Sequence, residues 1–430
     1  MSDLVQRPAT RYSRGTVIRN GLLAAGGLSA GLALQGGWPA KAFGTSVEAA
    51  ASRPSQGASD ALLAANLDFG FRLNAALTRN GGASQNLFFS PLSISTALAM
   101  AYNGATGPTL QAMATALGLK TLKPADVNHA TLGVLTNLRG RDPKVKLSIA
   151  DSLWVRHGLP VLPAFSSALQ TYYGAGLQSL DFKDPQAPAT INAWVKQQTH
   201  GLIPSIVKSI DPTTVMYLIN TLYFKAAWTS QFEARSTRPG AFKTGSGQQK
   251  TLPMMSQSGN FSYMKSDSFE AIRLPYASGK ISMYVVLPAE TSNLQSLLGG
   301  LNAKSWTTLV AGLKQRHGSI QMPRFSVDFQ SSLKQSLSAL GMGLAFDRNN
   351  ATFTAMIQDQ RAYITDVKHR AIMKVDESGT LAAAVTSVGI GVTAIQVDAF
   401  TMVVNRPFFC AIRDDVTGTL LFVGAVANPS

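Results

Sequence analysis

Three long apolar runs constrain this chain more than anything else in it: "VMYLINTLYF" at 215–224, "ISMYVVLP" at 281–288 and "TLLFVGAVANP" at 419–429. Each has strand length and lacks the polar alternation of a half-exposed strand, so each reads as a strand covered on both faces. Such strands need other layers packed against them. Stretches with helical spacing lie between, among them "ATINAWVKQQT" and "SLKQSLSALG". Strands and helices mix without strict βαβ alternation, and no internal repeat or change of composition marks a second unit. The expected class is α+β, a single domain on large sheets.

The length of 430 residues permits a large core, and no linker divides it. Charged residues make up 14% of the chain, below the roughly 25% of typical globular proteins, and 45% are hydrophobic. Cys410 is the only cysteine, so no internal disulfide is available and packing must hold the fold together. Its alternating context, "FFCAIRD", points to a buried, inert thiol.

Residues 1–42 have the order of an export signal. Arg7, Arg11, Arg14 and Arg19 form a basic leader, "GLLAAGGLSAGLAL" a short apolar core, and "AKA" at 40–42 a cleavage pattern. A mature chain is expected from Phe43, in the periplasm or outside a bacterial cell. The apolar run is too short and glycine-rich for a membrane span. Residues 43–58 read as a flexible leader and the domain as 59–430.

Within that domain, Leu63, Leu67 and Phe71 recur at helical spacing over 59–78 and predict one buried stripe. In "FFSPLSISTALAMAYNGA", Ser90 is a predicted N-cap and Pro91 the first helical residue, where a missing N–H costs nothing.

The formal charge is +15, and Lys120, Lys123, Arg139, Arg141, Lys144, Lys146 and Arg156 crowd one part of the sequence. Such a cluster suits either a solvated basic surface or a polyanion. No nucleic-acid motif or interleaved aromatic pattern accompanies it. Motifs of catalysis are also wanting. The one G-x-S-x-G match, "GLSAG" at 27–31, lies in the signal. The five histidines show no metal-ligand spacing, and no glycine loop has the spacing of a phosphate cradle, so no cofactor or metal is expected.

One stretch is unusual. Residues 376–386, "DESGTLAAAVT", follow an acidic pair with small residues that commit to neither helix nor strand. With "NLFFSPLSISTALAMAYNGATGPT", "INAWVKQQTHGLIPSIV", "LINTLYFKAAW", "LPY", "MPRF", "VKHRAIMKVDESGTLAAAVT" and "NRPFFCAIRD", taken in order, it resembles the serpin family over about residues 59–430.

That resemblance implies a fold with a five-stranded central sheet, two smaller sheets, surrounding helices and an exposed reactive loop at about 377–400. It implies a monomeric inhibitor rather than an enzyme. A target serine protease cleaves the loop and is trapped as an acyl-enzyme when the hinge enters the central sheet. The hinge would be Glu377, Gly379, Thr380, Ala382, Ala383, Ala384 and Thr386. By strand alternation Thr380, Ala382, Ala384 and Thr386 would point inward, and all are small. Leu381, Ala383 and Val385 would point outward.

The same resemblance places Ser90, Ser93, Asn220 and His369 in a hydrogen-bonded shutter under the opening sheet, and Trp228 with Glu377 in the breach where insertion starts. Asp151 replaces a usual asparagine, and Leu202 a usual lysine. Counting sixteen residues on from Glu377, roughly 50 Å of strand, gives Thr393–Ala394 as the reactive bond; counting back from Pro407 gives Gln396. The segment 387–399 holds no basic or aromatic side chain, so an elastase-like pocket fits best. A papain-like cysteine protease is a lesser partner. The competing reading is a non-inhibitory, binding or chaperone-like member.

Overall fold

A computed structural model of the chain describes residues 56–81, 84–358, 361–380 and 399–430. The expected signal at 1–42, the hinge residues Ala382, Ala383, Ala384 and Thr386, and the reactive bond Thr393–Ala394 lie outside the described residues.

The described helices are α1 (Gln56–Gly81), α2 (Pro91–Tyr102), α3 (Gly107–Leu117), α4 (Pro124–Arg139), α5 (Pro163–Ala168), α6 (Ala187–Gln198), α7 (Leu294–Gly300), α8 (Ala303–Gly312) and α9 (Lys334–Leu337). Gln56, Gly57 and Ala58, expected to belong to the leader, form the first turn of α1, where the Gln56 amide donates to Asp60 at 3.0 Å. The buried stripe of α1 is rotated from the predicted one. Leu62, Phe69, Leu73 and Ala76 lie in the core with Phe71, while Leu63 and Leu67 are only half-buried.

The central sheet runs in the order β10 (Phe325–Ser332), β11 (Ile364–Asp376), β12 (Gly379–Thr380), β4 (Met216–Ala227), β2 (Lys146–Arg156), β3 (Leu177–Leu180). Five of these are full strands. The sixth, β12, is two residues of the expected hinge, wedged between β11 and β4 at one end of the sheet. Further down, β11 and β4 pair directly and in parallel, 364–370 of one with 216–221 of the other. Among the described residues no strand joins 371–374 of β11 to 222–225 of β4.

The remaining strands are β1 (Leu87–Phe89), β5 (Arg238–Lys243), β6 (Gln249–Lys265), β7 (Phe269–Tyr276), β8 (Ile281–Pro288), β9 (Lys314–Pro323), β13 (Phe400–Val403), β14 (Phe408–Asp414) and β15 (Leu420–Val426). They run β1-β15-β14-β8-β7-β6-β9-β13, with β5 on β6. The two smaller sheets expected are thus joined through the 17-residue β6, one end of which pairs with β5 and the other with β7. β8 and β15 are buried along their whole length, as strands covered on both faces must be.

Between the sheets lies α2, with all twelve residues buried. The Ser90 hydroxyl caps it by accepting from the Ser93 N–H at 3.1 Å, and Pro91 begins the helix. Its small, hydroxyl-bearing face packs under β2 and β4. Cys410 is buried in β14, and its thiol is pushed up to about 12 by burial.

Candidate functional site: the breach and the shutter

At the end of β11 the chain reverses over Asp376, Glu377, Ser378 and Gly379. One Asp376 carboxylate oxygen closes this turn by accepting from the Ser378 N–H (2.9 Å), the Ser378 hydroxyl (2.6 Å) and the Gly379 N–H (3.2 Å). Glycine is required at 379. Its φ is +150°, and a Cβ there would lie 2.1 Å from the Ala226 carbonyl oxygen.

Thr380, expected in the exposed loop, is buried with its side chain under the sheet. Its hydroxyl lies 2.6 Å from the Tyr276 hydroxyl. This corrects the expectation that the chain after the turn stands outside the sheet: a small polar residue and a matching buried hydroxyl let Gly379 and Thr380 pair between β11 and β4 in the intact chain. Gly379, expected in the same exposed loop, is likewise already built into the sheet end, while Glu377 stands at that end beside Trp228.

Aromatic packing supports the wedge. Trp228 stacks on Tyr276 with ring centroids 4.4 Å apart and planes 10° from parallel. Its indole N–H donates to the Asp376 carbonyl at 2.9 Å, and its backbone N–H to Ser378 at 3.0 Å. Glu377 is clamped from the other side by Arg324, whose Nε and Nη2 donate at 3.1 and 2.6 Å, and by the Thr237 hydroxyl at 2.6 Å. Burial pushes the Glu377 carboxyl up, but the hydrogen bonds from Arg324 and Thr237 outweigh it and hold the group below its ordinary value.

The shutter residues also meet. Asp151 of β2, Asn220 of β4 and His369 of β11 stand directly opposite one another in the strand registers, forming one row across three strands. His369 Nδ1 lies 2.6 Å from Asn220 Oδ1, and its Nε2 accepts from the Ser90 N–H at 3.4 Å. The Nδ1 proton is therefore the one donated to Asn220. Burial lowers the imidazole to about 3, so it is neutral. Asn220 Nδ2 turns the other way, to Ser93 Oγ and Asp151 Oδ1, and Ser93 Oγ donates to the same Asp151 oxygen at 3.1 Å.

Sequence reasoning named Ser90, Ser93, Asn220, His369, Glu377 and Trp228, and the structure brings them into these two clusters. It missed Tyr276, Arg324 and Thr237. The first two lie in the quoted "LPY" and "MPRF", but nothing local marks side chains whose partners are 104 and 53 residues away.

The crowded basic residues do not form one patch. Lys120 and Lys123 precede α4, whose 16 residues span about 24 Å before Arg139. Arg141 is paired with buried Asp414 at 2.8 Å. Arg156 lies at the other end of β2 from Lys146. Lys146 stands directly opposite a further lysine, Lys225, in the register of β2 and β4.

A family model described as serpin (serine protease inhibitor) matches residues 64–429. The chain belongs to the serpin family. Members of this family act on target proteases and are not generally enzymes. Among relatives of this serpin is the leukocyte elastase inhibitor of Xenopus tropicalis, 32% identical over 84% of this chain and 97% of the relative. The thermophilic serpin tengpin, solved in its native state, is 30% identical with a TM-score of 0.80, covering 88% of this chain and 95% of tengpin. Human thyroxine-binding globulin, solved with its hormone, is 26% identical with a TM-score of 0.81, covering 87% and 100%. A protein named as an elastase inhibitor and one named as a thyroxine-binding globulin are thus both similar to this chain.

Proposed function

We propose that this serpin is an inhibitor that traps elastase-like serine proteases as a covalent acyl-enzyme when its cleaved loop enters the central sheet. The observation that carries the reading is the lodging of Gly379 and Thr380 between β11 and β4. The seam beneath them accepts hinge backbone on both edges, and the inward side chain that follows the turn already has a buried hydroxyl partner. The next inward residues, Ala382, Ala384 and Thr386, are small enough to follow.

The target class rests on the sequence of the loop. Cleavage at Thr393–Ala394 suits a small pocket, and a papain-like cysteine protease is the lesser partner. Export past Ala42 to the periplasm or beyond completes the reading. The second reading is a non-inhibitory binding serpin, supported by the hormone carrier among its structural neighbours. A role for a polyanion is favoured by Lys146 and Lys225, like charges placed side by side at a cost that an anion would relieve.

The test is a gel. Purified protein mixed with elastase is expected to give a complex that survives SDS and boiling; clean cleavage with no complex overturns inhibition, and no cleavage overturns the target class.

A further inference from the structure

We propose that Asp151 stands in the native protein as a neutral carboxylic acid, and that its proton keeps the row Asp151, Asn220 and His369 closed, so that its loss to base opens the central sheet at the β2–β4–β11 seam. The inference concerns the intact sheet and holds whether or not the loop traps a protease.

The geometry argues for the proton. Oδ1 of Asp151 receives both donors that reach the carboxyl group, Asn220 Nδ2 and Ser93 Oγ. Oδ2 is buried and has no hydrogen-bond partner among the described residues. A carboxylate would leave half its charge on that buried oxygen with no donor from the described residues, whereas a carboxylic acid leaves no charge there.

The surrounding elements supply no compensating charge. α2 presents the hydroxyls of Ser90 and Ser93, and β4 presents Asn220 and Thr221, none of which ionises in the working range. β11 presents His369, which is neutral and is separated from Asp151 by the Asn220 amide. The cation that acts on Asp151 is Arg139, in the last turn of α4 and open to solvent, beyond ion-pair distance. Its attraction is screened and does not offset burial.

Burial accordingly raises the Asp151 carboxyl to about 8 from its ordinary 3.8, against the hydrogen bonds from Asn220 and Ser93 and the pull of Arg139. Between these two values the closed sheet holds a proton that an opened one gives up. Closure therefore weakens as pH rises through that window and is level above it. His369 has the opposite sense. Burial lowers it from 6.5 to about 3, so closure strengthens as pH rises between those values. Where the windows overlap the two slopes cancel, and the sheet is expected to be tightest in mildly acidic solution and to loosen from about pH 6.5 to 8.

An asparagine at this position keeps the two acceptor bonds and cannot ionise, which makes Asp151→Asn the decisive variant. Hydrogen exchange of the amides around Asp151, Asn220 and His369 is expected to show protection falling in wild type relative to the variant by about tenfold per pH unit between pH 6.5 and 8. Parallel protection in the two proteins overturns the proposal. Wild type alone supplies a second measurement: the infrared C=O stretch of a protonated carboxylic acid should be present at pH 7 and vanish by pH 10. Its absence at pH 7 overturns the proposal even if the variant does not fold.

Discussion

The hydroxyl of Tyr276 meets the hydroxyl of Thr380 at 2.6 Å, and both side chains are buried. A residue expected to wait in solvent is thus already docked, on a tyrosine held in place by Trp228. Substitutions at Thr380 therefore act on the intact protein, before any cleavage of the chain.

Thr380→Arg is expected to abolish complex formation and also to eject β12. An unpaired guanidinium under the sheet costs several kcal/mol, more than two residues of strand pairing return. The gel should show cleaved product replacing complex, and the fluorescence of Trp228 should change before any protease is added. Complex yield equal to wild type would sink the insertion mechanism.

Tyr276→Phe tests the docking bond itself. Removing one hydroxyl leaves the Thr380 hydroxyl buried without its partner, which costs about 1–3 kcal/mol. Urea unfolding should show that loss, and the double variant Tyr276→Phe with Thr380→Val should recover part of it. A single variant as stable as wild type would mean that the bond contributes nothing.

Glu377→Gln should change how the protein responds to acid. The Glu377 carboxyl is held below its ordinary 4.5, so the stability it contributes is present above pH 4.5 and disappears as pH falls through its lower native value. The gap in melting temperature between wild type and variant should be open at pH 7 and narrow as pH falls below 4.5. A gap independent of pH would remove the clamp with Arg324 as its cause.

The bond attacked is settled by sequencing the released C-terminal fragment. A start at Ala394 supports the count from Glu377, a start at Val397 supports the count from Pro407, and a start outside 393–397 excludes both. An intact mass of exported protein that retains residues 1–42 would exclude cleavage after Ala42.

Local chemistry made some of this fold readable. Ser90 and Pro91 announce the start of α2 because capping involves only neighbouring residues, and the runs in β8 and β15 announce burial because they are apolar throughout except at Ser282. The α1 stripe was misjudged because Leu63 and Leu67 are as apolar as Leu62 and Phe69, and only the packing of other elements decides which row faces the core. The basic residues looked like one patch because sequence distance hides the length of α4 and the pairing of Arg141 with Asp414. At Asp151 the substitution itself was visible. That one of its oxygens would be left without a donor depended on three strands and a helix meeting, which no single stretch of sequence encodes.

The long strand β6 has a mechanical consequence. Thr380 is tied to Tyr276 in β7, and Phe400 lies flat on Tyr263 in β6, ring centroids 3.8 Å apart. β6 and β7 are adjacent strands in which Tyr263 stands opposite Ile272. Chain entering and leaving the segment 381–399 is thus moored at two points on one pair of strands. The two moorings are unequal: β12 pairs by two residues with β11 and β4, whereas β13 pairs by four with β9 and adds the aromatic stack. The mooring at Thr380 is the shorter of the two, and a pull on both is expected to release it before the one at Phe400.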